Sequence, residues 1–157
     1  MTDFRGTWSE SEVERFLREA TIPIRIATHR PDGSLWPVTL WYRYRDGVLE
    51  CATGANSNLV RFLRHDPEIG FDISTNDVPY RGIRGTGTAE IAADSDKAVL
   101  RDLLERYLGG TDSPLARWLL ADDREEVRIE IEPREIYSWD YASRMGEGSS
   151  EDDPSST

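Results

Sequence analysis

The chain has 157 residues, 30 acidic side chains and 19 basic ones, and its net charge at pH 7 is −11. This length suits a single domain, and the 38% content of hydrophobic residues is enough for one modest core. So acidic a surface argues against binding to nucleic acid, whose phosphates need arginine or lysine patches, and against docking on anionic membranes.

The first element is predicted to be a helix over about residues 10–20. Ser9 is a good N-cap, and Glu12 lies three residues further on, which completes a capping box. Apolar residues then follow at helical spacing. Three strand-like runs come next, at 22–28, 35–44 and 48–53, and the dipeptide Asp-Gly between the last two is a strong hairpin signal.

The apolar periodicity becomes helical again after residue 56. Asn56 or Ser57 is the predicted cap of this short helix, and Pro67 marks its end. Residues 68–74 and 81–92 are then predicted to be strands. Glycines inside the second of these strands indicate a bend, a bulge or a close approach of another group.

Two further helices are predicted in the second half of the chain. The first is capped by Asp94 or Ser95 and ends at Gly109, and the second begins with Pro114 at its first helical position. Strands at 127–132 and 136–141 complete the domain. Most strands are joined as hairpins and not as βαβ units, which favours an antiparallel barrel with helical insertions.

The end of the chain differs in composition from the rest. Residues 144–157 are rich in glycine, serine and acidic side chains. Such a segment lacks the apolar residues that a packed structure needs, so it is predicted to be a disordered acidic tail. The folded domain is therefore expected to span residues 1–143.

Several features point to the cytoplasm. A single cysteine, Cys51, excludes an internal disulfide, and its mid-strand position predicts a buried, unreactive thiol. No apolar run is long enough to span a membrane, and the first residues lack the pattern of a signal peptide. The two histidines have no patterned carboxylates beside them, so no metal site is predicted.

The basic residues are almost all arginine: Lys97 is the single lysine beside 18 arginines. Loss of lysine together with excess acid resembles the proteins of salt-accumulating archaea. In about 1 M salt the Debye length is only roughly 3 Å, so repulsion between surface carboxylates is screened. An acidic protein from a GC-rich mesophile is the alternative, and the scarcity of lysine favours salt adaptation.

The best candidate for a site lies at the junction between the strand that ends at Thr53 and the short helix after residue 56. Free backbone N–H groups and the positive end of the helix dipole lie at this junction, which suits a phosphate group. Hydroxyl groups of Thr53 and Ser57 add donors, and Arg61 lies one turn into the helix. From these residues alone, an ordinary capped junction remains open as the alternative.

Several runs along residues 12–141 together resemble the pyridoxamine-phosphate-oxidase-like family. Their order and spacing carry the resemblance, since no single motif is specific. The runs are Ile26-Ala27-Thr28, Pro37-Val38-Thr39-Leu40-Trp41, Thr53 to Leu63, Pro79-Tyr80-Arg81-Gly82, and Ile131-Glu132-Pro133 with Ser138-Trp139-Asp140.

The resemblance implies a mainly β fold, a six-stranded antiparallel split β-barrel of the FMN-binding type. It also implies a homodimer with the cofactor at the subunit interface. The strand along the isoalloxazine ring would be Pro37, Val38, Thr39, Leu40 and Trp41. The phosphate end would be held by Thr53, Ser57 and Asn58.

The chain departs from the family pattern at one position of the phosphate site. The family usually has a basic residue two positions after the loop serine, and Leu59 stands there in this chain. Charge-assisted contacts are about twice as strong as neutral ones, so another cation is needed for tight binding. The candidates are Arg25, Arg61, Arg81 and Arg84.

The predicted function is therefore that of an FMN-binding oxidoreductase that acts on a small molecule. The missing basic residue makes the deazaflavin F420 the alternative cofactor, with an F420-dependent reductase as the corresponding enzyme. A flavin- or F420-binding protein without turnover is a further alternative, and a barrel kept only for dimerisation is the simplest one.

Overall fold

The computed structural model describes residues 1–142 and consists of one sheet of eight strands with four α-helices around it. The helices are α1 (Glu10–Glu19), α2 (Asn58–His65), α3 (Ala98–Leu108) and α4 (Pro114–Leu119). The strands are β1 (Asp3–Gly6), β2 (Ile24–His29), β3 (Leu35–Leu40), β4 (Arg43–Arg45), β5 (Val48–Gly54), β6 (Glu68–Ser74), β7 (Arg81–Ala93) and β8 (Glu126–Asp140). The tail predicted for residues 144–157 lies outside the described residues.

The strand order closes the sheet into a barrel. Neighbours follow the path β3-β2-β6-β7-β8-β5-β4, every pair along it is antiparallel, and β1 adds to β8 in parallel. Only Trp41 and Tyr42 separate β3 from β4. One extended segment therefore supplies both ends of the path, so the two ends must lie close together. This confirms the predicted class, a mainly β antiparallel barrel with helical insertions.

Within residues 1–142 the structure has eight strands where six were expected, although two strands predicted from the sequence are joined at Pro133. The strands predicted at 127–132 and 136–141 are one continuous strand, β8. Proline is tolerated in a sheet at a bulge, and the register of β7 with β8 shifts between Thr86 and Gly87, directly opposite Pro133. The additional strands are β1, which sequence patterning did not reveal, and β4, which is separate from β3.

Inward-facing residues of the strands form the barrel core. Alternate positions such as Ile24, Ile73, Ile83 and Ile129 are fully buried, as the two-residue period of a strand requires. Each such side chain contributes about 1.5–3 kcal/mol when it leaves water. Helices α1 and α2 close the barrel with Val13, Phe16, Leu17, Leu59 and Leu63.

The predicted helix caps are present. The hydroxyl of Ser9 accepts from the N–H of Glu12, whose carboxylate accepts from the N–H of Ser9, so the capping box is complete. Ser57, and not Asn56, caps α2 by accepting from the N–H of Val60. The carboxylate of Asp94 accepts from two amides at the start of α3.

Helix α3 is fastened over the barrel by polar contacts at several points. Arg43 of β4 bonds Asp102 of α3 at 2.6 Å and Glu50 of β5 at 2.7 Å. At the other end of α3, the guanidinium of Arg106 donates to three carbonyl groups around the end of α1, and the hydroxyl of Tyr107 donates to the carbonyl of Ile22. These contacts fix the helix whose residues Leu100 and Leu103 form one wall of a cavity beside the barrel.

Candidate functional site

A cavity of about 360 Å³ lies between the barrel and helices α3 and α4. Its barrel side is formed by the end of β3 and the end of β5, and its helical side by Leu100, Leu103 and Leu119. Ligand sites of small molecules have volumes of about 300–1,000 Å³ and are mostly apolar with a few polar groups. We call this space the strand–helix cavity.

Trp41 forms an aromatic wall of the strand–helix cavity. It follows directly after β3, and its ring is stacked on that of Tyr107 of α3, with 5.3 Å between centroids and 12° between planes. The hydroxyl oxygen of Tyr107 accepts a hydrogen bond of 3.3 Å from the backbone N–H of Tyr42. The ring of Trp41 is therefore held on one side by α3 while it lines the cavity.

The strand–helix junction predicted as a phosphate site borders the same cavity. Thr53 and Gly54, the last residues of β5, line it. The chain then turns, since the N–H of Ser57 donates to the carbonyl of Gly54 at 3.1 Å. The N–H of Ala55 donates to the carbonyl of Glu125 at 2.9 Å, which ties this loop to the segment before β8.

The polar end of the cavity is formed by Arg124 and Glu126. Their side chains are joined by a hydrogen bond of 3.2 Å between Nη2 and Oε2. The side chain of Glu126 is only 3% exposed. Burial raises the pKa of its carboxyl group, although the guanidinium of Arg124 acts in the opposite direction. A buried carboxyl beside an arginine thus faces an apolar space.

Four of the predicted site residues meet at this cavity: Thr39, Leu40, Trp41 and Thr53. The remaining two residues of the predicted ring strand lie elsewhere. Val38 packs against the barrel core, and Pro37 lines a second groove on the outer face of the sheet. The alternation of side chains along β3 separates Pro37 from Val38, because neighbouring residues point to opposite faces. Pro37 and Thr39 share a face and are separated by their positions along the strand, since Pro37 pairs with Ala27 of β2, which lines the second groove.

Ser57, Asn58 and Arg61 all belong to the start of α2, outside the lining of the strand–helix cavity. Ser57 is half-buried and its hydroxyl caps the helix. Asn58 and Arg61 are exposed, and the guanidinium of Arg61 lies 5.2 Å from the ring centroid of Phe62. Arg61 is therefore close to the junction in sequence, whereas Arg124 is close in space, with Nη2 at 4.0 Å from an ideal Cβ on Gly54.

Leu59, which stands at the family's basic position, points into the barrel core and is only 2% exposed. The helical turn after Ser57 directs this position inward, where an unpaired charge would be costly. Leucine is consistent with that burial. A cation for the phosphate end must therefore come from another part of the chain.

Arg81, the first residue of β7, lies against α1. Its guanidinium is 5.8 Å from the ring centroid of Phe16, and it lines a small pocket between α1 and the start of β7. The structure does not bring it together with Trp41 or Thr53.

Arg25 and Arg84 line the second groove, which has a volume of about 490 Å³ on the outer face of the sheet. Asp72 is the direct cross-strand neighbour of both arginines. The guanidinium of Arg84 lies over the ring of Tyr137, 4.4 Å from its centroid. Neither arginine lines the strand–helix cavity, so they are not close substitutes for the missing basic residue.

Sequence patterns did not reveal Arg124 and Glu126. They lie in the acidic run Asp122-Asp123-Arg124-Glu125-Glu126, which has the composition of a solvated loop. Glu126 is buried because it is paired with Gly54 across β5 and β8. That register depends on the packed sheet, and no spacing in the sequence indicates it.

Comparison with known proteins gives structural matches only, since no family model and no curated protein matches the chain. A conserved hypothetical protein from Mycobacterium tuberculosis is 26% identical, with a TM-score of 0.73 and 96% of each chain covered. An F420 reductase is 26% identical, with a TM-score of 0.66, over 76% of this chain and 92% of that one.

A putative pyridoxamine 5'-phosphate oxidase from Listeria innocua is 15% identical, with a TM-score of 0.63, over 82% of this chain and 96% of that one. The fold is that of the pyridoxamine-phosphate-oxidase-like split β-barrel. In this split barrel, the strand–helix cavity is lined by Thr39 to Trp41, which the resemblance assigned to the ring of a flavin, and by Thr53, which it assigned to the phosphate end.

None of the helices within residues 1–142 is both long and apolar enough to cross a bilayer. Within the same part of the chain, no three histidine, cysteine, aspartate or glutamate side chains are grouped so that they could hold a metal ion.

Proposed function

We propose that this split barrel binds a phosphate-bearing flavin-type cofactor in the strand–helix cavity and acts as an oxidoreductase on a small molecule. One observation carries the proposal. Thr39 to Trp41 and Thr53, which are far apart in sequence and were assigned to the two ends of a flavin, line the same cavity.

The chemistry of the cavity walls supports a tricyclic ring. Trp41 offers an aromatic surface, and the leucines of α3 and α4 offer an apolar one. Stacking of aromatic rings adds about 0.5–1.5 kcal/mol beyond burial. In a cofactor enzyme, the cofactor supplies the redox chemistry, while the protein orients the ring and excludes competing reactions.

The loop after Thr53 supports a phosphate group. The first amides of α2 have no partner within the helix, and the hydroxyl of Ser57 satisfies one of them, that of Val60. The positive end of the helix dipole favours an anion at this point. These donors are neutral, so tight binding needs a positive side chain as well.

FMN is the cofactor that the family resemblance predicts, and F420 is the second candidate. A specific observation favours F420: among the structures described above, the F420 reductase is 26% identical and its name states a cofactor. Both molecules carry a tricyclic ring and a phosphate, so the same cavity serves for either proposal.

We also propose that the protein is a homodimer with the cofactor at the subunit interface, and that it works in the cytoplasm of a salt-adapted cell. Strand β3 lies at one end of the strand path and is largely exposed, with Leu35 at 67% exposure. A second subunit over this strand would cover the apolar surface and close the open side of a bound ring. Light scattering after gel filtration measures the mass directly.

A direct test starts with the visible spectrum of the freshly purified protein and with mass spectrometry of any compound that denaturation releases. Titration with FMN and with F420 then gives both affinities. In Thr39→Phe, a ring fills the cavity from an exposed position, so we expect at least a tenfold loss of affinity. Thr88→Phe is the matched control, because Thr88 is an exposed strand residue outside the cavity.

Turnover is tested separately from binding. The loaded protein is mixed with reduced nicotinamide or, for F420, with the reduced deazaflavin and a panel of small acceptors. Oxidation of the donor supports an oxidoreductase, whereas tight binding without turnover supports a binding protein. A wild-type protein that binds neither cofactor at millimolar concentration contradicts the proposed function.

A further inference from the structure

The polar end of the strand–helix cavity holds a paired cation and carboxylate whose role is unassigned. Arg124 lies in the loop between α4 and β8, and Glu126 is the first residue of β8. Nη2 of Arg124 lies 3.2 Å from Oε2 of Glu126, and both residues line the cavity beside Thr53. The pair therefore stands next to the loop that would hold a phosphate.

The guanidinium of Arg124 is oriented by neighbouring side chains and has N–H donors available for a ligand. Its guanidinium lies over the ring of Trp118, 4.3 Å from the centroid, in cation–π geometry. Within residues 1–142, its Nε is buried and has no hydrogen-bond partner. A guanidinium has five N–H donors in a planar fork that matches phosphate oxygens, so one bond to Glu126 leaves most of them for a ligand.

The distance from Arg124 to the phosphate loop is short. An ideal Cβ added to Gly54 would lie 4.0 Å from Nη2 of Arg124. The loop and the arginine segment are also joined by the hydrogen bond from Ala55 to Glu125. A phosphate at the loop would thus lie within reach of the guanidinium, whereas Leu59 points away into the core.

We propose that Arg124 and Glu126 form a proton-coupled anion subsite that takes the phosphate group of the cofactor. This inference rests on the proposed function, because it assigns the cation that the phosphate needs. Binding of the anion draws Arg124 onto the phosphate oxygens and leaves Glu126 beside a second negative charge. A proton from solvent then neutralises the carboxylate, and no other group needs to change its charge.

The groups around Glu126 favour this proton uptake. Burial is the largest influence and raises the pKa of its carboxyl, and Asp94 at the start of α3 raises it further. Arg124 and Lys97 lower it. When a phosphate takes up the charge of Arg124, the main compensating influence is reduced, so the carboxyl binds a proton more strongly. The affinity for a phosphate-bearing cofactor should therefore fall as pH rises, by up to about tenfold per pH unit.

The cation is tested by comparing a ligand with and without its phosphate. FMN and riboflavin are titrated into wild-type protein, Arg124→Met and Arg117→Met, the last being an exposed arginine of α4 that serves as the control. Loss of a charge-assisted contact should weaken FMN binding roughly 10- to 100-fold in Arg124→Met. Riboflavin binding should be unchanged in all three proteins, which also shows that the variant is folded.

Proton uptake by Glu126 is tested with Glu126→Gln, whose side chain resembles the neutral carboxyl. Titrations run between about pH 5 and 9, and wild type and Glu126→Gln are compared at each pH, because the second pKa of the phosphate monoester near 6 affects both proteins alike. We expect the affinity of the wild type for FMN to decline with pH relative to that of Glu126→Gln. The same pair of ligands for the deazaflavin, F420 and its phosphate-free precursor, shows which cofactor the subsite serves.

Each result decides a different point. Equal FMN affinity in wild type and Arg124→Met overturns the inference and leaves the proposed function intact. Equal pH slopes in wild type and Glu126→Gln overturn the proton coupling. A wild-type protein that binds neither FMN nor F420 overturns the proposed function, and the assignment of the phosphate to Arg124 fails with it.

Discussion

The rings of Trp41 and Tyr107 are stacked at 5.3 Å, and this contact joins the end of β3 to α3. The Tyr107 hydroxyl donates to the carbonyl of Ile22 at 2.8 Å and accepts from the N–H of Tyr42 at 3.3 Å. It therefore positions the aromatic wall of the cavity from behind, without lining the cavity itself.

Tyr107→Phe should lower the free energy of unfolding by about 1–3 kcal/mol, because two part-buried backbone groups lose their partner. Urea titration measures this change. It should also weaken cofactor binding, since the ring that supports Trp41 is no longer fixed by its hydrogen bonds. Tyr80→Phe is the control: Tyr80 is exposed, and a change within about 0.5 kcal/mol is expected. Equal stability of both variants would show that the hydroxyl of Tyr107 contributes little.

Gly82 should tolerate no larger residue. A Cβ there would lie 2.5 Å from the carbonyl oxygen of Ile73 and from Cα of Ser74, and both are backbone atoms that cannot move aside cheaply. Gly82→Ala should therefore destabilise the protein by about 1–3 kcal/mol, the usual cost of overpacking. Gly110→Ala, with nothing within 4 Å, should cost little. Thermal unfolding of both variants checks the contrast.

Cys51 should not react with thiol reagents in the native protein. It is fully buried in the barrel, which confirms the predicted burial, and that burial raises the pKa of its thiol to about 12. The thiolate is the reactive form, so labelling at pH 8 should appear only after unfolding. Ser34→Cys, an exposed turn position, supplies the positive control for the reagent. Rapid labelling of native Cys51 would contradict the burial.

Glu126 should make the folded state less stable as pH rises. Burial raises the pKa of Glu126 above its ordinary value of 4.5, so between that value and the folded pKa the native state binds more protons than the unfolded state. Stability therefore falls with increasing pH across this window. As pH rises, Glu126→Gln should therefore become more stable relative to the wild type. Glu125→Gln, an exposed neighbour, should show no such trend.

Glu90 should destabilise the sheet at low salt. Glu130 of β8 is directly opposite Glu50 of β5 on one side and Glu90 of β7 on the other. Like charges in that arrangement repel by about 0.2–1 kcal/mol. Glu90→Gln should thus raise the free energy of unfolding in dilute buffer. In about 1 M KCl the Debye length is roughly 3 Å, so the repulsion is screened and the variant should be no more stable than the wild type.

A control for this salt effect is Glu132→Gln. Glu132 is exposed on β8 and faces Thr88 instead of an acidic residue, so its removal should change stability less. The same measurements on the wild type test the predicted salt adaptation, for which stability should increase with KCl. A wild type whose stability is independent of salt would contradict that prediction.

Local patterns in the sequence determined the helix caps, most of the strands and the class of the fold. Ser9, Ser57 and Ser113 cap helices whose first turns depend only on neighbouring residues. Alternation along the strands likewise reflects a local preference for one buried face. The resemblance in residues 12–141 pointed to the correct barrel because the order of such local elements is itself encoded along the chain.

Tertiary structure alone decided what surrounds the cavity. Pairing of Gly54 with Glu126 buries an acidic residue from a run that has the composition of a surface loop, and it brings Arg124 to the phosphate loop. A bulge opposite Pro133 keeps β8 continuous. The first outcome depends on the register between β5 and β8, whose paired residues are more than 70 positions apart in sequence, and the second on the register between β7 and β8. Register is a property of the packed sheet as a whole, because a slip of one residue would expose every core side chain of the strand.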